Sequence, residues 1–195
     1  MKRNFMISIW MTLATTVLLG IGYPLAVTVL AQWIFPRQAN GDIIQEHGKL
    51  VGSSLIGQPF SAAGYFHPRP SEAGPAGYDP DAPGGGASNL APTNSALITR
   101  VNGDAQKLHA ENSSAPIPVD LVTSSGSGLD PDITPAAAEF QVTRVARERG
   151  MSQGDVRAAV ARHTDGRQWG FLGEARVNVL ELNLELDAMR PMNPR

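Results

Sequence analysis

Hydrophobic and polar positions divide the chain sharply. From Asn4 to Pro36 there is no Asp, Glu, Lys, Arg or His. At about 1.5 Å per residue, an apolar helix of that length more than covers the roughly 30 Å of a bilayer's hydrocarbon core. Ile7, Ile9, Met11, Leu13, Val17, Leu18, Leu19, Ile21, Leu25, Val27, Val29 and Leu30 go round the whole helix surface, as lipid on all sides requires. Trp10, Trp33 and Phe35 lie towards the ends, where amphipathic rings favour the headgroup layer. The pattern predicts a short N-terminus over 1–4, a transmembrane helix over 5–35 and a folded domain over 36–195.

Lys2 and Arg3 precede the span, whereas the first cations after it are Arg37 and Lys49. On the positive-inside bias the N-terminus is cytoplasmic and the remainder lies outside. A cleaved signal peptide is the competing reading, with a small-residue exit at Val29-Leu30-Ala31. Its apolar region is ordinarily only about 7–15 residues, so length favours a retained anchor, and both readings export the rest. Within the span, Pro24 lacks an amide hydrogen and is expected to kink the helix or leave a carbonyl near residue 20 unpaired. Gly20 and Gly22 beside it would let another helix approach closely, which makes Gly20, Gly22 and Pro24 the candidate partner contacts, although Gly and Pro are also simply common in membrane helices.

Beyond the span, Gln38 to Gly48 reads as a polar exit, and Leu50 to Gln58 has the small and β-branched character of one or two strands. Tyr65-Phe66-His67-Pro68-Arg69-Pro70-Ser71 cannot be a helix interior, so Phe60, Tyr65 and Phe66 are expected to tuck an extended segment onto the core. Residues 72–92 are rich in Gly, Pro and Ala, with a glycine triplet at Gly84 to Gly86, and read as a long flexible loop. Thr93 or Asn94 caps a predicted helix carrying Leu97, Ile98, Val101, Ala105 and Leu108. Ile117 to Thr123 looks like a strand that begins near a proline. Thr134 with Pro135 predicts a helix from Ala136 to Arg149 ending at Gly150, with Arg144, Arg147, Glu148 and Arg149 on its solvated face. Ser152 with Asp155 opens a second helix. Trp169 and Phe171 are expected to pack beneath a turn over 166–173, and Asn178 with Glu181 caps a last helix through Leu182, Leu186 and Met189. The alternation from Val177 to Leu186 would suit a strand as well. The fold class is α/β, more closely α+β: an extracytoplasmic domain tethered by one N-terminal transmembrane helix.

Composition narrows the chemistry. Without Lys2 and Arg3, 14 basic residues face 18 acidic ones, which disfavours nucleic acid as a partner. The chain has no cysteine, so thiol nucleophiles, disulfides and Cys-based metal sites are excluded. The glycine triplet lacks the Lys-Ser/Thr ending of a P-loop. Ser124 to Gly128 lacks the glycine two residues before a serine that a nucleophile elbow needs. His47, His67, His109 and His163 show no metal-ligand spacing, and Asp130 and Asp132 flank Pro131 as a turn with exposed carboxylates.

Several blocks, in order, carry a resemblance. Leu55-Ile56-Gly57-Gln58 with Phe60, Tyr65-Phe66 with Arg69-Pro70-Ser71, and Ser88-Asn89-Leu90 with Pro92-Thr93-Asn94 are followed by Asp120-Leu121-Val122-Thr123 and Ser125-Gly126-Ser127-Gly128-Leu129-Asp130-Pro131. Gln141, Arg144-Val145-Ala146 and Val177-Asn178-Val179-Leu180 with Leu182-Asn183 complete the set. Together these resemble the C subunit of the Kdp potassium-transporting P-type ATPase along almost the whole chain. Asp132 departs from the pattern, which usually has His there, so any role of that histidine does not carry over. The resemblance implies a non-catalytic accessory subunit in a bacterial inner membrane. Its partners would be a potassium-selecting channel-like subunit, a P-type ATPase catalytic subunit, a small single-span subunit and membrane lipid. No cofactor of its own is implied; ATP, Mg and K act through the complex. The family is described as a catalytic chaperone that raises ATP affinity, with Gln141 as the candidate nucleotide contact. Because charge bias places Gln141 outside, about 30 Å of hydrocarbon away from cytoplasmic ATP, a domain over the outer potassium entrance is the preferred reading. A direct nucleotide-contacting chaperone and a free-standing membrane-anchored binding module are the alternatives.

Overall fold

The computed structural model describes residues 1–46, 48–83 and 86–192. His47, Gly84 and Gly85 lie outside the described residues. The chain divides into two compact units, Met1–Val51 and Gly52–Arg195.

The first unit is built on one apolar helix, Lys2–Ile34, with a mean hydropathy of 1.9 and no buried residue. It is α-helical over α1 (Lys2–Val17) and α2 (Tyr23–Ile34), but Leu18–Gly22 between them is π-helical. The Tyr23 amide bonds the Leu18 carbonyl, five residues back. Pro24 supplies no amide for the carbonyl four residues earlier, and the widened turn is the local response to that missing donor. Two elements occupy the expected polar exit: α3 (Pro36–Ala39) and β1 (Ile43–Glu46), which pairs with β2 (Lys49–Ser53) in a two-stranded sheet. The strand expected over residues 50–58 stops at Ser53, where its hydroxyl and carbonyl accept the Leu55 and Ile56 amides and turn the chain.

In the second unit the described residues from Ser54 to Asn94 form neither helix nor strand. The first helix is α4 (Ser95–Glu111), capped by Asn94, whose side chain accepts the Ala96 amide at 2.8 Å. The expected strand over 117–123 is instead a 3₁₀ turn, Val119–Leu121. Asp120 explains the difference: its carboxylate accepts both the amide (2.8 Å) and the hydroxyl (3.2 Å) of Thr134, a local pairing that competes with a strand ladder. Beyond it come β3 (Asp132–Ile133), α5 (Pro135–Arg149), α6 (Gln153–Arg162), β4 (Thr164–Asp165), β5 (Arg176–Asn178) and α7 (Val179–Met189). The strands form an antiparallel sheet in the order β3-β5-β4, with Ile133 opposite Val177 and Thr164 opposite Val177.

These elements make an α+β core. Val142, Val145 and Ala138 of α5, Val156 and Ala159 of α6, Val177 of β5 and Leu182 and Leu186 of α7 are all buried in one cluster. The caps hold as expected: Thr134 accepts the Ala137 amide, Ser152 that of Asp155 and Asn178 that of Glu181. Gly150 closes α5 in the left-handed conformation at φ 59°, a geometry that costs glycine nothing. The 166–173 turn departs from expectation, because Trp169 is 85 % and Phe171 69 % exposed. Trp169 and Gly170 both take positive φ, which reverses the chain at the tip and lifts the side chains off the sheet. Removing the first cap, Thr134→Ala, should cost about 0.5–2 kcal/mol, read as a lowered midpoint in thermal unfolding of the detergent-solubilised chain.

Candidate functional site

The segment 62–71, a turn over 62–65 closed by the Tyr65 amide on the Ala62 carbonyl and then irregular chain, has no ladder of its own, so its backbone must find partners elsewhere. It finds them on side chains of α5 and α7. Asn183 bonds both backbone groups of Phe66, accepting from its amide at 2.8 Å and donating to its carbonyl at 3.0 Å. Gln141 does the same for His67, at 2.8 and 3.1 Å. Two side-chain amides therefore act as substitute strands for two consecutive residues. Arg144 donates to the carbonyls of Ala63 and Tyr65 at 2.5 and 2.8 Å, and Arg149 to that of Gly64 at 2.6 Å. Five carbonyls in a row, from Ala63 to His67, are thus taken by four buried polar side chains.

The clamp residues are themselves held. Arg144 pairs with Glu111 at 2.8 Å and donates to Gln141 at 2.6 Å. Arg149 pairs with Asp187 at 2.9 Å and lies 4.8 Å above the Tyr65 ring, whose hydroxyl donates to the other Asp187 oxygen. The solvated face expected on α5 is real for Arg147 and Glu148 but not for Arg144 and Arg149, which are buried. The backbone carbonyls of this segment are what bring those guanidinium groups inside. Phe66 is itself fully buried in the core, as expected for this stretch.

Beyond the clamp the chain is tied to the serine-glycine stretch. Arg69 pairs with Asp130 at 2.9 Å, the Ser71 hydroxyl donates to the Gly128 carbonyl, and the Tyr78 hydroxyl donates to the Arg69 carbonyl. Burial and the Asp130 charge push the Tyr78 phenol well above its ordinary value, so it stays protonated. Ser125 and Ser127 accept the amides of Gly128 and Leu129; they shape a turn. Gly57 packs against Asp130 so closely that a Cβ would meet its carbonyl. Asp130 and Asp132 are not freely exposed, because Arg69 and Arg176 draw them into pairs at 2.9 and 3.2 Å. Desolvation raises the Asp132 carboxyl above the usual range.

Among the described residues three open crevices border this region, one of them, of about 370 Å³, lined by Phe60, His67, Arg69, Ser71 and Tyr78 among others. Another, of about 420 Å³, is lined by His67, Pro68, Pro70, Lys107, Glu111 and Gln141 among others. The third, of about 280 Å³, carries Arg69, Asp120, Asp130, Asp132 and Arg176 among others. Gln141 borders the second, yet its oxygen accepts from His67 and Arg144 and its nitrogen donates to His67 and Ala137, which uses the full capacity of a primary amide. No group of three or more potential metal ligands occurs among the described residues. Gly20 and Gly22 belong to the π-helical turn and Pro24 to the first turn of α2. Sequence reasoning passed over Asn183, Arg144 and Arg149 as parts of a site. A polar Asn183 between Leu182 and Leu184 was the available signal.

Comparison with known proteins fixes the family. A profile described as K+-transporting ATPase, c chain, matches residues 5–188. The chain belongs to the KdpC family. It is 59 % identical over 192 residues to the potassium-transporting ATPase KdpC subunit of Koribacter versatilis, covering 98 % of each chain. It is 58 % identical to that of Acidobacterium capsulatum (91 % of this chain, 94 % of the relative) and 52 % to that of Rhodopseudomonas palustris (97 % and 100 %). A KdpC chain is a subunit of a larger transport ATPase, and one apolar N-terminal helix makes this one a single-pass membrane protein.

Two predictions follow from the clamp. Gln141→Leu orphans the amide and carbonyl of His67 at about 1–3 kcal/mol for each group, which urea unfolding of the full chain would report. The second concerns pH. Burial, and then the Arg144 charge, holds the His67 imidazole below its ordinary value. A depressed pKa means the unfolded chain takes the proton first. Its stabilising contribution is complete above the ordinary histidine value and is lost as pH falls through the lowered one. Unfolding at about pH 7.5 and about pH 5 should show a stability loss that His67→Gln reduces.

Proposed function

We propose that the chain is a non-catalytic accessory subunit of an ATP-driven potassium uptake complex in a bacterial inner membrane. Its folded unit lies outside and covers the potassium entrance of the channel-like subunit, and its span helps hold the complex together. The P-type catalytic subunit and a small single-span subunit complete the assembly, and ATP, Mg and K act through those partners. The observation that carries this reading is the helix Lys2–Ile34, which has no buried residue and is uncharged from Asn4 onward, with Lys2 and Arg3 at its start. A helix apolar on every side belongs in lipid, and the cations orient it with the folded unit outward.

The reading in which Gln141 touches nucleotide is less favoured for two reasons. Its amide has no unused donor or acceptor, and outward topology separates it from cytoplasmic ATP. An effect on ATP affinity would instead be indirect, arising from different contacts with different pump states. The reading as a free-standing binding module has no support in a family whose members are named as ATPase subunits.

The topology is directly testable because the chain has no cysteine. Ser113→Cys places the only thiol on an exposed position of the folded unit. A membrane-impermeant maleimide should label it from outside in right-side-out vesicles of the assembled complex. Labelling only after the vesicles are opened would overturn the outward placement.

A further inference from the structure

The membrane helix ends in a feature that a plain tether would not need. At about 1.5 Å per residue, the 33 residues of Lys2–Ile34 reach about 50 Å, more than the roughly 40–45 Å of a bilayer with its headgroups. Helix length alone therefore leaves open how deep the far end sits. The chain beyond it supplies a stop.

Phe35 breaks α2 at φ −129° and ψ 57°, and α3 turns the chain aside. Gly41 and Asp42 then take positive φ, 85° and 40°, and reverse it. The Asp42 amide returns to the Arg37 carbonyl at 2.9 Å and the Gly41 amide to that of Gln38 at 3.0 Å. This fold-back lays Asn40 on the last turn of α2. There its side chain donates to Gln32 Oε1 at 3.0 Å and accepts from Gln32 Nε2 at 3.3 Å, a closed pair of amides. Asn40 also donates to the Pro36 carbonyl at 2.6 Å, and Arg37 donates twice to Asp42 Oδ1, at 3.0 and 2.7 Å. Three residues of chain reach at most about 11 Å, so Ile43, where β1 begins, stays near the level of Gln32. Trp33 (79 %), Phe35 (57 %) and Ile43 (55 %) are exposed around that level.

Continuity with the span says what covers them. A tryptophan at the end of a membrane helix lies in the headgroup layer, and side chains held at the same level meet the same layer. The polar chemistry fits that depth as well. Gln32 with Asn40 and Arg37 with Asp42 satisfy one another inside the fold-back, which a layer poor in water demands. With Arg37 neutralised by Asp42, insertion relies on apolar area and not on anionic lipid.

We propose that residues 32–43 form an interfacial collar. It lies in the phospholipid headgroup layer at the C-terminal end of the span and sets the depth at which the span stops, with the Gln32–Asn40 pair as its clasp. The inference needs only the membrane span and holds for either orientation of the chain.

The test uses the full chain in phosphatidylcholine vesicles, with single cysteines introduced into this cysteine-free sequence and carrying a nitroxide. Accessibility to oxygen, which concentrates in lipid, is compared with accessibility to a nickel chelate, which stays in water. A label at Ile43→Cys should give an oxygen-to-nickel ratio matching that at Phe35→Cys and several-fold above that at the exposed Ser113→Cys. Adding Asn40→Ala should drop the position-43 ratio to the Ser113 value and leave a mid-span label at Leu19→Cys unchanged. A position-43 ratio equal to that of Ser113 in the otherwise unmodified chain overturns the collar, as does low access to both reagents, the signature of packed protein. A ratio that Asn40→Ala leaves unchanged overturns the clasp. Should Asn40→Ala lower the thermal midpoint of the chain, Gln32→Ala, which opens the same pair from the helix side, decides by the same ratios.

Discussion

The folded unit depends on an exchange of roles between side chain and backbone. Residues 63–67 run from a turn into irregular chain with no strand beside them; Gln141, Arg144, Arg149 and Asn183 supply the hydrogen bonds a strand would have given. Such groups are costly to bury alone, because an unpaired guanidinium or amide in a dry interior loses its water without compensation. Here most of the costs cancel: orphan carbonyls meet orphan donors, and Glu111 and Asp187 balance the two charges, while Arg149 Nη2 and Asp187 Oδ1 are buried without a hydrogen bond. Partial satisfaction would be worse than an apolar core, so the network behaves as a unit.

What the clamp secures is the placement of nearly all the irregular chain. From His67 the segment continues through Arg69 and Ser71 to the turn at Gly128 and Asp130, and from Glu111 it reaches α4, which Asn112 also ties to the Phe140 carbonyl. The segment also feeds the three-helix core, where Phe66 is fully buried. The crevices around it would not exist without it, since His67 and Gln141 line one, Arg69 another, and His67 and Arg69 together the third. The surface around these crevices is therefore a product of buried polar pairing as much as of apolar packing.

Most of the regular structure was legible in the chain because its signals are local. Asn94, Thr134, Ser152 and Asn178 cap the helices that their spacing predicts, and an uncharged run announces a membrane helix without tertiary information. Failures occurred where distant partners decide. Arg144 and Arg149 look like surface residues until carbonyls some eighty positions away are folded onto them. Ile117 to Thr123 reads as a strand through Ile117, Val119, Val122 and Thr123, but Asp120 finds Thr134. Trp169 and Phe171 are core residue types by composition, and only the backbone reversal at the tip shows that they face outward. Pro24 foretold a disturbed helix correctly, though not that the disturbance would be a π turn.

Amide hydrogen exchange at Phe66 and His67 in the full-length protein probes the clamp most directly. These two residues lie outside every helix and strand. If Asn183 and Gln141 serve as their strand partners, both amides should be protected nearly as strongly as those in the middle of α5, because exchange would require the core to open. Exchange as fast as at the exposed Ser113 would contradict the clamp and with it the placement of the surrounding surface.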